Sequence, residues 1–206
     1  ILMLYTRGQD EAAGRLLAYA KDRYKMEGEE WDARFVADFA KERFRGHEQE
    51  GGEAPRRDVV LPLIDAALER ALIALLAGDT AAFNDNVEVA RFYHDSYNRS
   101  TPERNYLPPL RRFVENVATV LVLEPGAFGY RLDWKQRADL YAALGRAAGD
   151  VQRVVYFRVS QRASPLRGWY ARQGRSFDDY FPEPAGYPAW RVGYEEALRR
   201  EQMRRM

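Results

Sequence analysis

The chain has 206 residues, 46% of them hydrophobic, which is enough to bury a sizeable core in one domain. Acids and bases nearly cancel at a formal charge of +1, so no global field draws the chain to nucleic acid or to an anionic membrane, and the signature of disorder is missing. With no cysteine, a disulfide framework, a thiolate zinc site and a cysteine nucleophile are excluded.

Of 32 basic residues only Lys21, Lys25, Lys41 and Lys135 are lysines. A GC-rich genome explains that bias first, and recognition of carboxylate or phosphate second. No charge-free apolar window of about 18 residues exists, so no transmembrane helix is expected. Ile1–Tyr5 is too short and too neutral for a signal peptide, although opening on Ile1 instead of Met leaves room for a start further upstream. The expected location is the cytoplasm.

Residues 9–26 read as a helix: Leu16, Leu17, Ala20 and Tyr24 recur at helical spacing, with acids early and bases late. Residues 29–44 are the clearest amphipathic helix, with Trp31, Phe35 and Phe39 in one stripe that belongs in a core. Gly46–Pro55, rich in Gly and Glu and containing His47, reads as a surface loop. A helix over 58–77 follows, with Leu61, Ile64, Leu68, Leu72, Leu75 and Leu76 on its apolar face and Pro62 in its first turn. Gly78 suits a C-cap, and Asp79 or Thr80 an N-cap for a helix over 80–97 carrying Phe83, Val87, Ala90 and Tyr97. So short a turn makes the two an antiparallel αα-hairpin.

Asn98–Asn105 reads as a loop, and 106–123 as a central buried helix, with 120–123 also compatible with a strand. Pro125, Gly126 and Gly129 break the chain before a helix over 134–148. Residues 151–159 are β-branched and aromatic, yet Val151, Val154, Val155 and Arg158 fit a helix, which their helical surroundings favour. From Ser164 to Trp190 four prolines and seven aromatic residues break every period. That stretch is expected to be irregular and to wrap its rings over the helical body. A charge-rich helix over 192–206 closes the chain.

The search for chemistry is largely negative. His94-Asp95 invites a general-base reading, but neighbours on a helix point about 100° apart. Packing is therefore expected for His94, and His47 is weaker still. Nucleophile elbows, phosphate loops and dinucleotide fingerprints are absent from the sequence. The acids Glu27–Asp32 lead into a helix, where its dipole accounts for them. Asn98-Arg99-Ser100 matches a glycosylation sequon. The C-terminal arginines Arg199, Arg200, Arg204 and Arg205 could meet phosphates, but they also complement a helix C-terminus and are diluted by Glu195, Glu196 and Glu201. The partner-binding candidates are the acidic loop, Glu48, Glu50 and Glu53, and the acidic–aromatic run Asp178, Asp179, Tyr180 and Phe181.

Leu4-Tyr5-Thr6-Arg7-Gly8-Gln9-Asp10 resembles the short Tyr-(Ser/Thr)-x-Gly lead-in to the first helix of some all-helical immunity proteins, which protect bacteria from secreted or polymorphic toxins. Ala71–Asp79 followed by Phe83 resembles their central hairpin, and Tyr106-Leu107-Pro108 is a looser echo. The likeness extends over roughly half the chain and assigns no subfamily, and the stretch after Ser164 has no counterpart in it. It implies a cytoplasmic protein that docks on a cognate toxin or effector, blocks its active site or substrate access, and needs no cofactor.

The expectation is thus an all-α protein, a compact multi-helix bundle with antiparallel αα-hairpins, in a single domain over 1–206 with an irregular C-terminal wrap over 164–190. It is expected to be an immunity protein and not an enzyme, with no catalytic, metal or cofactor site and no membrane partner. The second reading is an Arg-rich helical nucleic-acid binder. The third is an enzyme using acids such as Glu29, Asp32, Asp95 and Asp178.

Overall fold

A computed structural model describes residues 14–16, 18–19, 57–124, 131–161 and 163–205. Residues 14–16 and 18–19 are helical. The rest of the helix expected over 9–26, the helix over 29–44 with its aromatic stripe, the acidic loop and the break at 125–129 lie outside the described residues. Among those that are described, every regular element is a helix and no strand occurs, as the periodicities require. They fall into two compact units. The first reaches Ala74 and resumes over Gly78–Phe113, and the second takes Leu75–Ala77 and the chain from Val114 on.

In the first unit, α1 (Arg57–Ala77) is built from Leu and Ala, strong helix formers. It is buried on several sides through its middle, at Val60, Leu63, Ile64, Ala66, Ala67, Leu68, Ala71 and Leu72. The apolar face is therefore wider than the expected stripe. Pro62 sits in the second turn instead of the first. Gly78 takes a positive φ of 78°, which costs a residue without Cβ nothing, and the Asp79 amide donates back to the Ala74 carbonyl at 2.9 Å. The Asp79 carboxylate then accepts from the Ala82 amide at 2.9 Å, so two residues end one helix and start the next.

The next helix, α2 (Thr80–Ser100), runs three residues past the expected end and stops at Thr101, held extended by the proline that follows. A 3₁₀ turn at Glu103–Asn105 leads to a non-helical stretch at 106–109. The helix expected from Tyr106 begins only as α3 (Leu110–Leu123). Leu107 and Pro108 each precede a proline, and that sterically disfavours helical backbone.

In the second unit α3 continues as helix through Val120–Leu123, so the strand alternative falls away. The fourth helix, α4 (Trp134–Ala147), opens with a capping box. The Gln136 amide donates to the Asp133 carboxylate at 2.8 Å, and the Asp133 amide to the Gln136 side-chain oxygen at 2.9 Å. Ala148 alone separates it from α5 (Gly149–Gln161). This is the ambiguous β-branched segment, and it is helical, with Val151, Val154, Val155 and Val159 buried on one side. The two helices pack against each other along their length, with Gln152 lying over Gly145 and donating to the Tyr141 carbonyl at 3.2 Å.

The expectation of an irregular segment over 164–190 is corrected. α6 (Ala163–Arg172) and the one-turn α7 (Phe177–Tyr180) fall inside it, and α8 (Tyr187–Arg205) begins inside it. The prolines misled because their positions matter. Pro165 is the third residue of α6 and Pro188 the second of α8, where the missing N–H has no helical carbonyl to serve. Both α6 and α8 pack on α5, and α7 packs on α6. The rings are buried as expected: Tyr170, Phe177, Phe181 and Tyr187 all belong to the core.

Candidate partner-binding site

The short α7 owes its exposed acids to its buried rings. Phe177 and Phe181, four residues apart, both turn inward. Phe181 meets Phe177 at 5.2 Å and Tyr141 at 5.4 Å between ring centres. The Tyr141 hydroxyl donates to the Pro182 carbonyl at 2.6 Å, fixing the chain just beyond. With its two ends anchored, the turn presents Asp178 and Asp179 to solvent and leaves Tyr180 half-buried.

Two arginines brace this turn. Arg167 donates to the Asp178 carboxylate at 2.7 Å, with both side chains more than half exposed. Its guanidinium is held protonated even more firmly than usual by that bond. Arg175 lies 3.5 Å from the centre of the Trp134 ring and donates to the Tyr180 hydroxyl at 2.9 Å. Trp134 and Tyr180 meet edge to face at 4.6 Å. Burial raises the Tyr141, Tyr156, Tyr170 and Tyr187 phenols above their ordinary range. For Tyr156 the charges of Glu183 and Asp178 add to the effect. These hydroxyls therefore stay protonated, and that of Tyr141 serves as a donor. The arrangement offers carboxylates on a braced turn, so a basic partner can collect charge-assisted hydrogen bonds with little ordering cost.

The structure brings Asp178, Asp179 and Tyr180 together at this surface and assigns Phe181 to the core, which corrects its place among the partner-facing residues. Glu48, Glu50 and Glu53 lie outside the described residues. Sequence reasoning missed Trp134, Arg167 and Arg175. The Asp133-x-x-Gln136 capping pattern announces where Trp134 sits on its helix, but no local pattern pairs it with an arginine so far along the chain.

His94 is packed, as expected, but it also reaches its neighbour Asp95. It is buried, and its Nδ1 lies 2.8 Å from the neighbouring Asp95 carboxylate, a contact the helical angle had argued against. The ring turns its Nε2 toward the Pro108 carbonyl at 2.9 Å, which brings Nδ1 within reach of the carboxylate. The sequon asparagine Asn98 is occupied structurally, accepting from the Leu107 amide at 2.8 Å. Asp95 and Asp178 belong to different units, and each contacts a basic side chain.

Two carboxyls the sequence did not single out, Asp65 and Glu69, stand one turn apart on α1. Glu69 is 7% exposed, and burial, reinforced by the nearby Asp65 charge, pushes its carboxyl up to about 8. Burial raises Asp65 as well. Among the described residues, no group of three or more His, Asp or Glu is placed to hold a metal. On α8 the arginines alternate with acids, and Arg191–Glu195 and Arg200–Glu196 form ion pairs along the helix.

Fold and site together define an all-α protein with an acidic, aromatic-backed turn on its surface. No helix of the described residues is long and apolar enough to cross a membrane. Comparison with known proteins finds no matching family model, no similar curated protein and no similar solved structure.

Proposed function

We propose that this chain is a binding protein that recognises and neutralises a partner protein, a bacterial toxin or effector, as the immunity proteins it resembles do. The observation that carries the reading is the α7 turn: Asp178 and Asp179 exposed on a backbone pinned by Phe177, Phe181 and the Tyr141–Pro182 bond. A braced acidic turn suits a basic patch around a toxin's active site, where complementary charge speeds association and rejects wrong partners. Neutralisation by occlusion draws on no chemistry from the binder, and the rings packed behind the turn hold it in place.

The test is to capture tagged chain with its bound proteins from host lysate, wash at low and then high salt, and express each retained protein alone. A single stoichiometric protein that survives the salt, arrests growth alone and is silenced by co-expression of this chain establishes the role. Recovery of nucleic acid alone, lost at high salt, contradicts it, because phosphate contacts weaken steeply with salt. The ion pairs along α8 disfavour that outcome by neutralising Arg191 and Arg200 within the helix.

A further inference from the structure

Arg137 is a charged side chain only 9% exposed. A guanidinium keeps its charge permanently and carries five N–H donors. Among the described residues Arg137 makes one side-chain hydrogen bond, from Nε to the Asp133 carbonyl at 3.4 Å, and that oxygen already accepts from the Arg137 amide at 3.1 Å. Asp133 caps the start of α4 one turn back, but its carboxylate turns to the Gln136 amide instead. Arginines nearer the surface are better served: Arg153, Arg167 and Arg200 each hold a carboxylate. A buried cation short of acceptors and of a counter-charge is costly, so its presence points to a ligand of opposite charge.

A second cation stands beside it. Trp134 and Arg137 lie one turn apart on α4 and share a face. Arg175 covers the Trp134 ring at 3.5 Å and donates to the Tyr180 hydroxyl at 2.9 Å. Burial raises the Tyr170 phenol, and the charges of Arg137 and Arg175 pull it back, so both guanidinia lie within electrostatic reach of one ring. Trp134, Arg175 and Tyr180 are half-buried, which gives the cluster a rim open to solvent. We infer that Arg137 and Arg175 form a binding site for an oxyanion, a phosphate or carboxylate group, walled by Trp134 and Tyr180. The two terminal nitrogens of Arg137 make a fork that matches two oxygens on one phosphorus or carbon. Its rings already brace Arg175, so that charge is in place before the anion arrives and little ordering is left to oppose binding. The site takes a group of opposite sign to the one Asp178 and Asp179 would draw, so it stands apart from the neutralising role of their turn.

The test is an NMR titration of the full chain with inorganic phosphate and, separately, with acetate, chloride being exchanged to hold ionic strength constant. The Nε–H signals of Arg137 and Arg175 should shift along a saturable curve, and the anion that saturates at the lower concentration names the source of the group. With the Trp134 indole signal as reporter, Arg137→Gln should weaken that binding by roughly tenfold or more, the worth of one charge-assisted hydrogen bond. Lys135→Gln, which removes an exposed cation from the same helix, should leave it unchanged. Should Arg137→Gln fail to fold by circular dichroism, Arg175→Gln, at a half-buried position, reads the same loss. Shifts that climb with either anion without saturating, or an affinity unchanged in the folded arginine variant, overturn the inference.

Discussion

Glu69 carries a strong residue-scale consequence. Its carboxyl is raised to about 8 in the folded chain, against 4.5 for the ordinary group. Between those values the native state holds a proton that the unfolded state has released, so stability falls as pH rises and levels off above about 8. Asp65 is raised in the same direction by burial, so its contribution has the same sign, beginning above its ordinary value. Denaturant unfolding should show a loss of about 2 kcal/mol between pH 5 and 8, with the solvent contact of the pair allowed for. Glu69→Gln should flatten the slope and be the more stable protein at pH 8. A wild-type profile with no such slope would remove Glu69 from the buried, proton-holding role.

The Arg175–Trp134 stack is a second residue-scale feature open to measurement. Arg175→Ala and Trp134→Ala should each destabilise, and a double-mutant cycle should return a coupling of about 1 kcal/mol, as for a half-exposed cation over an indole. A coupling near zero would mean that the guanidinium rests on the ring without holding it. The arginine was illegible as a bracing residue in the sequence because its partners, Trp134 and the Tyr180 hydroxyl, come from separate helices. A local pattern records what a residue does to its own turn, and the Arg175 side chain acts across turns.

At the scale of elements, helix identity was legible wherever apolar residues kept a helical period and caps marked the ends. The Gly78-Asp79 turn is the best case, since both its cap and its left-handed backbone follow from residue type. Boundaries failed where prolines were weighed by presence instead of position: 106–109 lost its helix to Pro108 and Pro109, while Pro165 and Pro188 start helices that had been read as irregular chain. The β-branched α5 is helical because its valines bury on one side against α4 and other helices, and packing outweighs a modest β-preference. That packing is close. A Cβ on Gly145 would meet the end of the Gln152 side chain at 2.7 Å. Gly145→Ala should therefore cost about 1 kcal/mol by displacing the Gln152–Tyr141 bond, despite alanine's better helix propensity. In a Gln152→Ala background, where that side chain is gone, the same change should be neutral or stabilising in thermal unfolding. If Gly145→Ala costs equally in both backgrounds, the close approach is not what the glycine serves.

At the scale of the whole molecule, helical periodicity indicated an all-α chain, and composition and charge supplied no pull toward membranes or polyanions, but function lay at the edge of what residues alone express. Asp178-Asp179-Tyr180-Phe181 was noticed because acids and rings stood together. Which of them face outward depends on Phe177 and Phe181 claiming the core four residues apart, and that division rests on Tyr141 and Tyr170, which come from two other helices. The most direct measurement of the central claim is growth rescue by co-expression of the captured toxic partner with either the wild-type chain or the Asp178→Arg/Asp179→Arg variant. Circular dichroism and thermal unfolding should first confirm that the variant folds, as both side chains are exposed. Rescue by the wild type and its loss in the folded variant, with partner affinity at least tenfold weaker, is the expected result for two interfacial carboxylates turned against a basic patch. Full rescue by the folded variant would contradict the assignment of the α7 turn as the neutralising surface.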